Sequence, residues 1–331
     1  MSVWVGSYSE KGGEGLYRLT TRDGQAVVAG VEPQIANASY GVASSRHGLV
    51  YFVDEQDEGR ISAWHPSARK RTSSVPSGGA APCFLALSPD EQWLACANYA
   101  DGVIALFRID PSSGDLLELV SRFAATCDAG PDPERQDGPH AHCAVFAENG
   151  ATLYHVDLGF DRVFRHDLDG GRIVASHVAF TAPAGSEPRH LLLHPDGVHA
   201  LLICELSAQL LLLTHAPDGT LTCVDVVDTC PDKGGTANLG GHLAFDAEGH
   251  VLVTNRGHDS LVRFAVRGGK LEMLDWRSTC GASPRHFLQW EHSALVAHEE
   301  SGSLTHVQWD QPTASPIGCV PGAAFVIDLP D

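Results

Sequence analysis

A short apolar strand, a polar junction, a tight turn and a second apolar strand recur seven times along the chain, and this repeat restricts the fold more than any other feature. The copies are SVWVGSYSEKGGEGLYRL, GLVYFVDEQDEGRISAW, QWLACANYADGVIALFRI, ATLYHVDLGFDRVFRHDL, HALLICELSAQLLLLTH, HVLVTNRGHDSLVRFAV and SALVAHEESGSLTHVQW. Aligning their polar junctions places Gly6, Glu55, Asn98, Asp157, Glu205, Asn255 and Glu299 in one column, at intervals of 43 to 59 residues. Most copies follow a further apolar segment with a Pro, Asp or Gly turn, as in CFLALSPDEQW, HLLLHPDGVHA and HLAFDAEGH. Proline presets φ and glycine accepts positive φ, so these turns have a physical cause.

Units of roughly 40 to 50 residues with about four strands each describe a propeller better than a sandwich or a solenoid. No segment shows the period of an amphipathic helix, and β-branched and aromatic residues fill the apolar runs. Runs such as LLICELSAQLLLL lack polar alternation, as strands covered on both faces should. The expected fold is therefore all-β: a seven-bladed β-propeller of four-stranded antiparallel blades, a single domain over 1–331. Its innermost strands would include FLAL, CAVF, RHLLLH, HLAF and RHFL. The C-terminal AAFVIDL would pair in the blade that contains VWVGS and close the ring. An open two-domain arrangement would need a linker, and the repeat never breaks at one. The longest spacer, DAGPDPERQDGPH, reads as a loop over one rim.

Lys and Arg number 22 against 41 Asp and Glu, for a formal net charge of −19. Such a surface repels nucleic acid and is not drawn to anionic membranes. The N-terminus has no basic segment followed by an apolar stretch, and no apolar run reaches the roughly 18 residues of a membrane span. Nine cysteines, an odd number without tight pairs, point to free thiols in a reducing compartment, so a cytoplasmic protein is expected. A closed ring has no free sheet edge, which makes a monomer the expected state.

Comparing the repeats position by position separates the polar residues needed to build a blade from those that are not. At the starts of the innermost strands stand His140 and His142, Arg189 and His190, His242, and Arg285 and His286. After the following strands stand Glu55, Asn98 with Tyr99, Asp157, Glu205, Asn255 with Arg256, and His298 with Glu299. In a propeller these positions converge at the channel mouth. Imidazoles and carboxylates supply general bases, and arginines supply fixed donors for an oxyanion, a carboxylate or a phosphate. Asn98 and Asp157 equally suit turn bracing, and His190, His242 and His286 equally suit hydrogen bonding to nearby backbone. Arg189, Glu205 and Arg256 stand out because sister blades carry smaller or neutral residues there. No zinc-knuckle spacing and no compact run of calcium-type oxygen ligands occurs, so neither metal nor other cofactor is expected. A Gly-x-Ser-x-Gly elbow and a phosphate-cradling glycine loop are likewise missing from the sequence.

VWVGSYSEKGGEGLYRL, RQDGPHAHCAVFAENGATLYHVDLGFDRVFRHDLD, GSEPRHLLLHPDG with the strand ending at Glu205, and VLVTNRGHDSLVRF together resemble the lactonase family of seven-bladed propellers. That family includes bacterial 6-phosphogluconolactonase and the fungal carboxy-muconate cyclase. The resemblance covers nearly the whole chain and implies a sugar-lactone hydrolase, with 6-phosphogluconolactone as the first expectation. In the cyclase branch the proposed set is a histidine, two arginines and a glutamate. Here these fall on His142 or His140, Arg189, Glu205 and Arg256. Arg256 or Arg189 would stabilise the oxyanion, and a histidine or Glu205 would take the proton from water. The remaining arginine, with Arg285, would hold a phosphate or carboxylate of a small anionic lactone. Around these, Glu55, Asn98, Tyr99, Asp157, His190, His242, Asn255, His286 and Glu299 would line the substrate. Two departures mark this chain: Leu239-Gly240-Gly241 precedes His242, and Cys204-Glu205 stands where Asn-Glu is usual. A non-phosphorylated or muconate-type lactone, or a noncatalytic binding role, are the competing readings.

Overall fold

The computed structural model describes residues 2–22, 25–232 and 237–329. Their strands form seven four-stranded sheets, taken here as blades in chain order. Blade 1 runs Ala323–Leu329, Ser2–Ser7, Leu16–Arg22, Gln25–Glu32. Blade 2 runs Gly41–Ala43, Val50–Asp54, Arg60–His65, Lys70–Pro76, and blade 3 runs Pro82–Leu87, Trp93–Asn98, Val103–Ile109, Leu116–Ala124. Blade 4 runs Ala141–Phe146, Thr152–Asp157, Arg162–Asp169, Arg172–Thr181, and blade 5 runs Pro188–Leu193, His199–Cys204, Gln209–His215, Leu221–Asp228. Blade 6 runs Leu239–Phe245, Val251–Arg256, Ser260–Arg267, Lys270–Ser278, and blade 7 runs Pro284–Trp290, Ser293–His298, Ser303–Gln308, Ser315–Cys319. The fold is the seven-bladed β-propeller that the repeat predicts.

As the sequence suggests, the C-terminal strand completes blade 1. It pairs antiparallel with the N-terminal strand, Trp4 opposite Ile327 and Val5 opposite Val326. The leading strand of blade 2, three residues long at Gly41–Ala43, carries no apolar run and was not among the predicted innermost strands.

The described residues divide into two compact units. One contains residues up to 38, 199–214 and from 223 onward; the other contains 39–198 and 215–222. In the first, Val5, Tyr17 and Val326 of blade 1 share a core with Leu295, Ala297 and Leu304 of blade 7. Leu252 and Leu261 of blade 6 pack with Phe287, Val296 and Val307 of blade 7. In the second unit, Tyr51, Val53 and Ile61 of blade 2 pack against Leu85, Leu94, Cys96 and Phe107 of blade 3. This explains the absence of alternation in the middle strands. Leu210, Leu211, Leu212 and Leu213 are all buried, each worth about 1.5–3 kcal/mol relative to an exposed position. The outermost strand of the same blade, Leu221–Asp228, alternates between sheltered and exposed residues, because only one of its faces is covered. Gly6 has a different constraint: a Cβ there would lie 1.7 Å from the Ala38 carbonyl oxygen, so only glycine lets these backbones approach.

Candidate functional site

The leading strands carry a shared irregularity. In blade 4 the pairing passes from Ala141–Asp157 to Cys143–Val156, leaving His142 as an extra residue. Blade 3 leaves Cys83 in this way, and blade 7 leaves Arg285 between the Pro284–His298 and His286–Ala297 pairs. In blade 6 the slip falls between Gly240 and Leu243, at Gly241 and His242. A β-bulge bends its strand and re-aims one side chain, so these positions are released from the ladder's alternation. The residue before the leading proline adds backbone strain: Ala81, Glu187 and Ser283 have φ of 52°, 55° and 60°. Left-handed conformations at non-glycine residues cost about 1–3 kcal/mol each and persist where surrounding contacts fix them. Here they are held by hydrogen bonds from the Ala81 amide to the Gln56 carbonyl (2.9 Å), from the Glu187 amide to Asp161 Oδ1 (2.9 Å) and from the Ser283 amide to Asp259 Oδ1 (2.8 Å).

In blades 3, 4, 6 and 7 the second strand closes on two adjacent residues with different duties. The first braces the blade. Asn98 Nδ2 donates to the Ser77 and Val103 carbonyls, and Asp157 Oδ1 accepts from the His140 and Phe160 amides. Asn255 bonds Thr229, Asn238 and Ser260, and His298 Nδ1 meets the Ser303 carbonyl. The following residue is Tyr99, Leu158, Arg256 or Glu299. The amides of Tyr99, Leu158 and Glu299 bond the carbonyls of residues 81, 140 and 283, just before the leading strands. The Tyr8 amide makes the same kind of bond to the Gly322 carbonyl. The sequence alignment of junctions merged these two columns. Asn98, Asp157 and Asn255 belong to the bracing column, bonded through the Asn98 and Asn255 amides and Asp157 Oδ1, while Asp157 Oδ2 is buried 3.7 Å from His155 Nε2 without a hydrogen bond among the described residues. Glu55, Glu205 and Glu299 belong to the next one. A slip of one residue along a strand reverses the face, so the distinction is chemical. Tyr8, one of the residues sequence reasoning missed, follows from shifting the blade 1 register by two, from Gly6.

In the first unit this second column and the bulges build a charged cluster. Arg256 Nη2 lies 2.6 Å from Glu205 Oε2 and donates to the Gly240 carbonyl at 2.8 Å. The side chains are only 10 % and 7 % exposed, and Arg256 Nε is buried with no hydrogen-bond partner among the described residues. Arg285 donates through Nη1 to Glu299 Oε2 (2.9 Å) and through Nη2 to the Tyr8 hydroxyl (2.6 Å), with its guanidinium 5.0 Å from the Tyr8 ring centre. Lys11 pairs with Glu300 at 2.7 Å. Burial pushes the Glu299 carboxyl up, but Arg285, then Arg256, and the Arg285 hydrogen bond outweigh it and hold the group below its ordinary value. Both arginines thus act on one carboxylate. His242 stacks on His286 at 4.0 Å, and His286 in turn lies 4.6 Å from Phe325 and accepts the Val326 amide at 3.4 Å.

The depressed Glu299 carboxyl has a consequence for stability. Because its folded value lies below the unfolded one, its contribution is fully present above the ordinary carboxylate range and is lost as pH falls through the folded value. The gap in Tm between the parent and Glu299→Gln is therefore expected to be widest near neutral pH and to close on acidification. A gap that stays constant from pH 7 to roughly pH 3 would contradict this assignment.

The second unit holds an aromatic and imidazole cluster. Arg189 is 3 % exposed, with Nη1 3.2 Å and 3.4 Å from the two ring nitrogens of His190. The His190 ring lies 5.2 Å from His142 and 5.0 Å from Phe84, and Phe84 stacks on Tyr40 at 4.2 Å. Tyr99 stacks on His140 at 4.6 Å and meets His142 edge-on at 5.7 Å. His140 Nδ1 contacts the Tyr99 carbonyl at 2.9 Å and Nε2 contacts Asp137 at 3.0 Å, so its ring is engaged in the loop. His142 is the extra residue of the blade 4 bulge and is buried. Glu55 sits half-buried after Val50–Asp54. Tyr40 and Phe84 were not singled out in the sequence, where they read as ordinary apolar residues.

Comparison with known proteins identifies the family. Residues 2–317 match the family described as lactonase, 7-bladed beta-propeller. A 6-phosphogluconolactonase of Bacillus subtilis is 29 % identical over 325 residues, covering 94 % of this chain and 91 % of that one. The structure of a periplasmic gluconolactonase from Pseudomonas aeruginosa superposes with a TM-score of 0.85 at 27 % identity, covering 99 % of each chain. A putative 6-phosphogluconolactonase from Bacteroides fragilis gives 0.84 at 25 %, covering 98 % of this chain and 97 % of that one.

Proposed function

The chain belongs to this lactonase family, and on that premise we propose that it hydrolyses a sugar δ-lactone, 6-phosphogluconolactone first, at the Arg256–Glu205 cluster. The observation that carries the reading is a guanidinium within 2.6 Å of a nearly buried carboxylate. Arg256 supplies a fixed positive charge to the carbonyl oxygen as water attacks, where preorganised donors are most effective. Glu205 takes the proton from that water as its oxygen bonds to the carbonyl carbon. The ring C–O bond then breaks, and the ring oxygen takes the proton from Glu205 to become a hydroxyl. The new acid ionises, so each turnover releases one proton to solvent.

The phosphorylated substrate is supported by the Bacillus subtilis relative. A second reading, a lactone without phosphate, has its own support. Arg256 and Arg285 already face Glu205 and Glu299, so a dianion would have to compete with carboxylates for both guanidinium groups. Acid release from paired lactones in buffer with chelator separates them. A kcat/KM at least about ten-fold higher for the phosphorylated lactone is expected, about 1.4 kcal/mol of added transition-state binding. Equal values or a reversed order would move the assignment to the phosphate-free lactone. Faster turnover of a muconate-type lactone would overturn both.

Nine cysteines, an odd number without tight pairs, support free thiols in a reducing compartment, and we propose the cytoplasm. None of the described helices is long and apolar enough to cross a membrane.

A further inference from the structure

The turn joining the first two strands of blade 6 reads Asp246-Ala247-Glu248-Gly249-His250, which the sequence presents only as a turn former. Its folded form brings three metal-type donors together. Asp246 Oδ1 accepts the Glu248 and His250 amides at 2.9 Å and 2.8 Å, which fixes the carboxylate and leaves Oδ2 facing the imidazole. His250 Nδ1 lies 3.1 Å from Asp246 Oδ2 and 3.5 Å from Glu248 Oε2. From the neighbouring blade 7 turn, His292 Nδ1 lies 2.9 Å from Glu248 Oε1. One donor atom from each of Asp246, Glu248 and His250 falls within a 4.8 Å span.

We propose that Asp246, Glu248 and His250, with His292 as a fourth donor, bind one divalent transition-metal ion of the zinc, nickel or cobalt class. Metal–ligand bonds of about 2.1 Å put neighbouring donors roughly 3.0 to 3.4 Å apart, for octahedral and tetrahedral geometry respectively. The separations of 3.1 Å and 3.5 Å about His250 Nδ1 already match those edges. Each N–H···O contact becomes N–metal–O when a proton is exchanged for the ion. Imidazole nitrogen with carboxylate oxygen selects a borderline cation over calcium or magnesium, which take oxygen alone.

Charge and space agree with this. Arg263 is clamped to Asp275 through Nε and Nη2, both at 3.0 Å, and stacks on Trp309 at 4.6 Å. Its Nη1 also pairs with Glu248 Oε2 at 3.5 Å and Asp246 Oδ2 at 3.9 Å, but a single guanidinium set among the carboxylates of Asp246, Glu248 and Asp275 leaves the cluster net negative. Beside the cluster opens a cavity of about 640 Å³ lined by Asp246, Glu248, Trp290, His292 and Trp309, room for the water or ligand that completes the coordination shell. Bound there, the ion would tie a blade 6 turn to a blade 7 turn. Its role is a structural clamp, separate from Arg256 and Glu205.

Titration of chelator-stripped full-length protein with cobalt(II) or nickel(II) chloride, by calorimetry and visible absorption, tests this. One ion per chain is expected, with a cobalt spectrum that lacks a thiolate charge-transfer band and so excludes the exposed cysteines Cys280 and Cys319. The metal is expected to raise Tm in the parent. Affinity is expected to fall about 100-fold or more in His250→Ala and about ten-fold in His292→Ala, with lactone turnover unchanged in both. No saturable binding by the parent, a thiolate band, or equal binding by a folded His250→Ala protein would each overturn the site.

Discussion

Arg256→Ala is expected to lower kcat for the sugar lactone by about 10²–10³-fold, with a smaller change in KM. The guanidinium stands in a position that water cannot easily replace. Its side chain is 10 % exposed, one nitrogen is shared by Glu205 and the Gly240 carbonyl, and Nε is buried. Charge held in place before the reaction begins stabilises an oxyanion without reorganisation, and the benefit grows as solvent is excluded. Arg256→Lys is expected to recover little, because an ammonium is a point charge and cannot reproduce the planar fork. Recovery of turnover on adding guanidinium chloride to Arg256→Ala would mark a catalytic loss. A loss that follows misfolding alone would not be rescued.

Glu205→Gln is expected to cost about 10²–10⁴-fold in kcat, since the amide keeps the shape but cannot take a proton from water. The substitution also removes the anion beside Arg256. Leaving one partner of a buried ion pair alone can cost about 3–5 kcal/mol, although the Gln oxygen still accepts a hydrogen bond. Tm is therefore measured with the kinetics, below the unfolding transition of each variant. A folded Glu205→Gln protein with parental kcat would remove the general base from this scheme.

The fold was readable because a repeat multiplies weak signals. One copy of strand, junction and turn says little, whereas seven copies fix the blade number and even the closure by AAFVIDL opposite VWVGS. The short Gly41–Ala43 strand escaped because three residues carry no period. The site was readable in part. Glu205 and Arg256 were singled out as departures from their sister blades, and they meet. His142 and Arg189 were singled out too, and both lie against His190 in the other unit. The junction alignment failed by one residue in some blades, since sequence shows that a strand ends in polar residues but not which one faces inward. Asn98, Asp157 and Asn255 were thus grouped with Glu205 although they brace turns. Bulges were invisible for the same reason: His142 and Arg285 owe their direction to an unpaired residue that only the ladder reveals. The Arg285–Tyr8 contact joins residues 277 positions apart, beyond any local pattern.

Acid release by Arg256→Ala, Glu205→Gln and the double variant, measured side by side on folded protein, tests the catalytic assignment most directly. If the two residues work as a unit, each single variant loses about 10²-fold or more, and the double variant is little worse than the poorer single. Turnover within about two-fold of the parent in both singles, a difference of only about 0.4 kcal/mol, would contradict it.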